Sequence, residues 1–160
     1  MTLTIAPLTD LIQILNSNSE TAITAIRANL ATTGTNASGS MSKSLRFEVK
    51  ETGGKATIQI IGQKYFTVVE TGRKPTPGKK PSRAFVENIK QWQGAKNVGG
   101  SAYAIALTIN KEGSKLWQKG GRKDIYSDVF PSFIESIQKD TLDKFAQEFL
   151  IELKNVGNSN

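Results

Sequence analysis

The chain has 160 residues, 38% of them hydrophobic and 22% charged, with a net charge of +7. That length suits one domain with its own core and is short for two. Cysteine and histidine are both absent, which excludes disulfides, thiol nucleophiles, Cys/His zinc sites and any triad with a histidine base.

Leu8, Leu11, Ile12 and Leu15 fall at i, i+3, i+4 and i+7, the spacing of an amphipathic helix. Ser17 and Glu20 form a Ser-x-x-Glu capping box that opens a second helical stretch with Ile23, Ile26 and Leu30 on its apolar face. Two helices or one bent helix both fit this pattern, which ends at Thr33-Gly34. Residues 34–44 hold almost no apolar side chain and read as a flexible linker. The sequon Asn36-Ala37-Ser38 carries no meaning without a secretory signal.

From Leu45 the apolar period changes to two. Leu45, Phe47 and Val49 alternate with Arg46, Glu48 and Lys50, and Ala56, Ile58 and Ile60 alternate with Thr57 and Gln59. With Thr52-Gly53-Gly54 between them, the two runs predict an antiparallel hairpin. Tyr65, Phe66, Val68 and Val69 then predict either a third strand or a short helical turn. Ser82 is placed to cap a helix with Phe85, Val86, Ile89 and Trp92 on one face, stopping at Gly94. Ser101 is placed to cap another, with Ala102, Ile105, Ala106 and Ile109 inward and Gly113 as its stop. The last helix carries Phe133, Ile134, Ile137, Leu142, Phe145, Phe149 and Leu153, and its expected role is core-forming. About twenty residues would make it ~30 Å long, enough to lie across the hairpin.

The expected class is therefore α+β: a small antiparallel sheet, packed by an N-terminal helix and a long C-terminal helix. The expected organisation is a single domain over 1–154, made of a helical segment (1–33), a linker (34–44) and the sheet and helices (45–154). Residues 155–160 read as a flexible tail. No apolar run approaches the ~18 residues of a membrane span, and MTLTIAPLTDLIQIL lacks the basic region of a signal peptide. Synthesis in the cytoplasm, with no membrane partner, is the expectation.

Charge is unevenly placed along this frame. Arg73, Lys74, Lys79, Lys80 and Arg83 lie in one proline-rich segment without an acidic residue. Lys111, Lys115, Lys119, Arg122 and Lys123 lie in a second, with Glu112 as the acid before Asp124. Pro75, Pro77 and Pro81 stiffen the first segment. It is not a phosphate-binding P-loop: five residues separate Gly72 and Gly78, Lys80 stands where a hydroxyl residue is needed, and two prolines remove N–H donors. The aromatics near the basic segments, Tyr65, Phe66, Trp117 and Tyr126, suit either a single-stranded nucleic-acid platform or the rooting of a loop in a core. No Asp/Glu pair stands at a spacing recognisable as a metal or acid/base site. The expectation is a non-enzymatic chain with no cofactor, no metal and no catalytic residue.

Two short segments carry a resemblance. Gly39, Met41 and Ser44 precede the hairpin, and Tyr65, Val69, Glu70 and Gly72 follow it in a Tyr-x-x-x-Val-Glu-x-Gly pattern. Together with AYAIALTINKEGSKLWQKGGRKDIYSD, this order resembles the neck, or tail-completion, protein family of tailed bacteriophages and their prophages. Ser40 stands where that family has a longer residue, and Arg73 where it has Thr. The resemblance implies a virion subunit that forms a homo-oligomeric ring between portal or adjacent connector and tail proteins, with non-specific contact to packaged DNA. It makes Tyr65, Val69, Glu70 and Gly72 an elbow, with Glu70 tying the turn through backbone N–H groups or a nearby Arg. The docking or DNA-facing loops would be 72–83 and 113–124, carrying Arg73, Lys74, Lys79, Lys80 and Arg83 on one and Lys115, Trp117, Lys119, Arg122 and Lys123 on the other. The alternative from the charge alone is a nucleic-acid-binding accessory protein.

Overall fold

A computed structural model describes residues 8–35 and 39–157. The elements in chain order are α1 (Leu8–Thr32), α2 (Ser40–Ser44), β1 (Arg46–Thr52), β2 (Lys55–Ile61), α3 (Val68–Thr71), α4 (Arg83–Lys96), α5 (Ala102–Glu112), α6 (Lys115–Gln118) and α7 (Val129–Gly157). The class is α+β, with one two-stranded antiparallel sheet among the described residues. The chain divides into two compact units. Unit one is Met1–Ala25, Arg46–Ile61 and Val129–Asn160; unit two is Ile26–Leu45 and Gly62–Asp128.

α1 is one uninterrupted helix that gives residues 8–25 to unit one and 26–32 to unit two. Ser17 does not cap a second helix; it sits mid-helix, where its carbonyl accepts from Thr21 Oγ1 at 3.3 Å.

In unit one the hairpin pairs Arg46 with Ile61 and Thr52 with Lys55, leaving Gly53-Gly54 as a two-residue turn. Both glycines have positive φ, +59° and +74°, as a type I′ turn demands. Phe47, Val49, Ile58 and Ile60 share one face by this register. The Phe47 ring lies 5.4 Å from that of Phe133 on α7. α1 meets α7 through polar contacts as well: Asn18 Nδ2 donates to Asp140 Oδ2 at 2.7 Å, and Lys144 bridges Asp10 (3.0 Å) and Glu148 (3.5 Å).

α7 differs from the expectation in two respects. It has 29 residues and continues through Gly157, into the predicted tail, of which 158–160 lie outside the described residues. It is also not a buried core helix: Ile134, Leu142, Phe145, Phe149 and Leu153 are all 40% or more exposed. The reason is length. A helix of that size spans ~43 Å, whereas seven-residue strands span ~23 Å, so the hairpin is too small to cover it.

Unit two holds the better core. Among the described residues, the four largest fully buried side chains, Ile26, Leu30, Leu45 and Ile125, all belong to it, together with Met41, Val69, Ala102 and Ala106. The linker expectation is corrected here, because residues 40–44 form a helix; 36–38 lie outside the described residues. Met41 is buried, Ser44 Oγ donates to the Met41 carbonyl and accepts from Gln63 N, and Arg27 donates to the carbonyls of Ser42 and Leu45. One buried methionine and these side-chain bonds order a segment that composition alone reads as loose. Between strand and helical turn, residues 68–71 take the helical turn, α3.

The serine caps form as predicted. Ser82 Oγ accepts from Phe85 N at 3.2 Å and Ser101 Oγ from Ala104 N at 3.3 Å. α5 stops at Gly113, but α4 runs through Gly94 and stops at Asn97, whose φ of +51° ends it. A mid-helix glycine costs only ~1 kcal/mol, which the rest of α4 outweighs. No helix among the described residues is long and apolar enough to cross a membrane.

Candidate functional site

The predicted elbow, Tyr65 to Gly72, is built on Glu70. Although charged, Glu70 is only 2% exposed. Its Oε1 accepts from three successive backbone N–H groups, those of Ile125 (2.9 Å), Tyr126 (2.6 Å) and Ser127 (2.9 Å), and its Oε2 accepts from the Ser127 hydroxyl. Its own main-chain carbonyl accepts from Arg122 N at 2.8 Å. A buried carboxylate is costly unless its lone pairs are filled, and here they are. Burial would by itself raise the Glu70 carboxyl. The bonds from the Ser127 side chain and from the N–H groups of Ser127, Tyr126 and Ile125 outweigh it and hold the group below its ordinary value of 4.5.

The neighbours of Glu70 are packed to match. Val69 is buried, and the Phe66 and Tyr126 rings lie 5.0 Å apart. Burial first, and then the Glu70 charge, raise the Tyr126 phenol above its usual value. Tyr65 is 42% exposed and its hydroxyl lies 3.3 Å from Ser40 Oγ. Asn29 Nδ2 donates to the Ile125 carbonyl, so α1 also holds the 125–127 turn.

Gly72 is the second fixed point. Its φ is +71°, and a Cβ there would fall on the Trp117 backbone nitrogen and within 2.7 Å of Ser114 Oγ. This close approach lets the two basic segments, treated above as separate loops, pair directly. Arg73 N donates to Ser114 Oγ (2.9 Å), and Ser114 N donates back to the Arg73 carbonyl (2.8 Å). Ser114 Oγ also caps α6 by accepting from Trp117 N. Further along, Thr76 N donates to the Asn110 carbonyl and Asn110 Nδ2 to the Lys79 carbonyl. The structure thus brings 73–80 and 110–117 together as one ledge.

The cations differ in what holds them. Lys74, Lys79, Lys80, Arg83, Lys115, Lys119 and Lys123 are exposed. Arg73 is exposed too, but its guanidinium stacks 3.8 Å over the Phe85 ring. Arg122 is engaged inward: it forms a forked pair with Asp124 at 2.6 and 2.8 Å and reaches Thr35 Oγ1. That pairing raises the Arg122 guanidinium and lowers the Asp124 carboxyl, leaving Arg122 poorly placed to contact a partner. Trp117 is 42% exposed and its Cδ1 lies against Gly113, where a Cβ would come within 2.6 Å.

Sequence reasoning missed Ser114, Asn110 and Ser127, the polar side chains that fasten the ledge and fill the elbow. Only Ser114 left a local signal, as a hydroxyl residue directly before a short helical run. Among the described residues, no group of three or more carboxylates could hold a metal ion. Compared with known proteins, the chain matches no protein-family model, no curated protein and no solved structure.

Proposed function

We propose that the chain is a structural, non-enzymatic subunit that works by docking on other proteins. More particularly, it is a component of the neck of a tailed bacteriophage, forming a ring between portal or adjacent connector and tail, and is found in the virion. One observation carries this reading. The positions that carry the family resemblance are the ones around which unit two closes: Met41 and Val69 are buried, Ser44 bonds to Gln63 N, Glu70 fills the 125–127 turn, and Gly72 admits Trp117. The resemblance therefore falls on residues with structural work to do, and the elbow they form presents the basic ledge on a rigid base. A ring subunit needs surfaces that differ in character from face to face, and an exposed cationic ledge is one such surface.

The test is incorporation. Purified chain, mixed with portal rings and with tails of the phage that encodes it, is expected to co-sediment with at least one of them and to appear as a ring by single-particle imaging. A chain that joins neither overturns the proposal.

A second reading, nucleic-acid binding, is favoured by the concentration of charge. Unit two carries fifteen Lys and Arg against five Asp and Glu, a net of +10. A salt-dependent gel shift that disappears when Lys74, Lys79 and Lys80 become Ser would support it. Arg73 is left in place because it packs on Phe85. No shift at low salt removes this reading.

A further inference from the structure

The C-terminal half of α7 presents a continuous apolar stripe to solvent. Leu142, Phe145, Phe149 and Leu153 recur at i, i+3, i+7 and i+11, with Leu150 beside them, and their exposures are 68%, 40%, 48%, 44% and 55%. At roughly 200 Å² for a fully exposed large side chain, these five leave roughly 500 Å² of apolar surface in water. A standard interface removes about 800 Å² per partner, somewhat more than half of it apolar. The stripe thus matches the apolar part of one side of a stable interface, and is of the size of the largest patch on a typical monomer, which is often functional.

Charge decides what covers it. Unit one, which contains α7, holds six Lys and Arg against nine Asp and Glu, a net of −3, while unit two holds a net of +10. Within α7, Lys144 is already paired with Asp10 and Glu148, which leaves Asp143, Glu152 and the exposed Lys154 beside the stripe. Pairing α7 with the α7 of a second copy would set −3 against −3 and leave both +10 units unmatched. Pairing it with the cationic unit of a second copy sets −3 against +10. That unit also offers exposed apolar side chains, Tyr103 and Leu107 on α5, four residues apart and one turn before Lys111.

We infer that the α7 stripe of one copy docks on the basic unit two of another, head to tail, in a contact that is apolar at its centre and ionic at its rim. This rests on the ring-subunit reading for the expectation that the contact repeats from copy to copy. Head-to-tail contacts repeat into rings or open filaments, whereas face-to-face contacts stop at a dimer.

Two variants of the full chain separate these cases in sedimentation velocity. The first, Leu142→Asp with Phe149→Asp, removes the stripe. The second, Lys74→Glu with Lys79→Glu and Lys80→Glu, reverses the ledge. All five side chains are exposed, so neither substitution removes a buried contact and both variants should fold, which their circular-dichroism spectra check. The parent is expected to form species heavier than a monomer that fall away with added salt, and each variant alone is expected to be monomeric. An equimolar mixture of the two retains one stripe and one ledge that still match, and is expected to give a heterodimer and nothing larger. A parent chain that stays monomeric overturns the inference, as does a mixture that stays monomeric. Self-association of the ledge variant alone also overturns it, because that outcome means stripe against stripe. Head-to-tail pairing by a chain that joins neither portal nor tail would leave this inference standing and remove the phage-neck reading.

Discussion

Glu70 is a single side chain on which a 55-residue closure depends, since it binds Ile125 through Ser127. Glu70→Gln keeps the shape but removes the charge from four hydrogen bonds, and it turns one acceptor into a donor facing the Ser127 hydroxyl. Charge-assisted bonds contribute more than neutral ones, so a loss of about 3 kcal/mol is expected by denaturant unfolding, against about 1 kcal/mol for Ser127→Ala. The pH dependence follows from the same contacts. The folded carboxyl titrates below its ordinary 4.5, so its stabilisation is complete above that value and is lost as pH falls through the lower folded one. Acid melts of the parent should therefore show a steeper decline than those of Glu70→Gln, in which Asp124 still titrates. Parallel acid profiles for the two chains would show that the carboxylate is not the group responsible.

At the scale of elements, the ledge depends on a close approach at Gly72 and a shared hydroxyl at Ser114. Gly72→Ala adds a clash with Trp117 N and Ser114 Oγ to the cost of its positive φ, whereas Gly78, at φ +79°, has open space around it. Gly78→Ala is expected to cost about 1 kcal/mol, the conformational penalty alone, and Gly72→Ala at least twice that. Equal melting points for the two variants would mean the contact is loose. Ser114 Oγ accepts from both Arg73 N and Trp117 N, while Ser101 Oγ accepts from Ala104 N. Ser101→Ala should cost about 1 kcal/mol as a lost cap, and Ser114→Ala more, because it also unfastens the ledge. These comparisons mark what the sequence makes legible. The hairpin, with its Gly-Gly turn and alternating Phe47, Val49, Ile58 and Ile60, is written locally, as are the caps at Ser82 and Ser101. The partners of Glu70 and the pairing of Arg73 with Ser114 lie 41 to 57 residues apart. Periodicity carries no information at that range. The α7 pattern shows which residues are apolar, but not that a short hairpin leaves them uncovered.

For the whole molecule, the uneven charge is the property that solution conditions act on. The +10 of unit two is offset internally by few ion pairs, among them Arg122 with Asp124 and Lys90 with Glu87. Exposed pairs contribute little, whereas the net charge repels itself. Raising salt from low to physiological shortens the screening length to about 8 Å. The thermal midpoint of the monomeric stripe variant is therefore expected to rise with salt, and to rise less for the ledge variant, whose three reversals lower the net charge of unit two. A midpoint that falls with salt in the stripe variant would show that attractive pairs dominate instead.

The turn at 125–127 has a chemical property of its own. Three aligned N–H groups and a hydroxyl make an anion receptor, and the chain supplies the anion from its own sequence. Glu70 is in effect a tethered ligand, whose binding to the turn is intramolecular. Glu70→Ala would leave the receptor vacant, and small carboxylates would then stabilise the variant by mass action. Its melting point should climb with added acetate or formate more steeply than with chloride at equal ionic strength, while that of the parent should not distinguish the anions. A variant indifferent to the anion would mean that the receptor exists only while its tethered ligand holds it open.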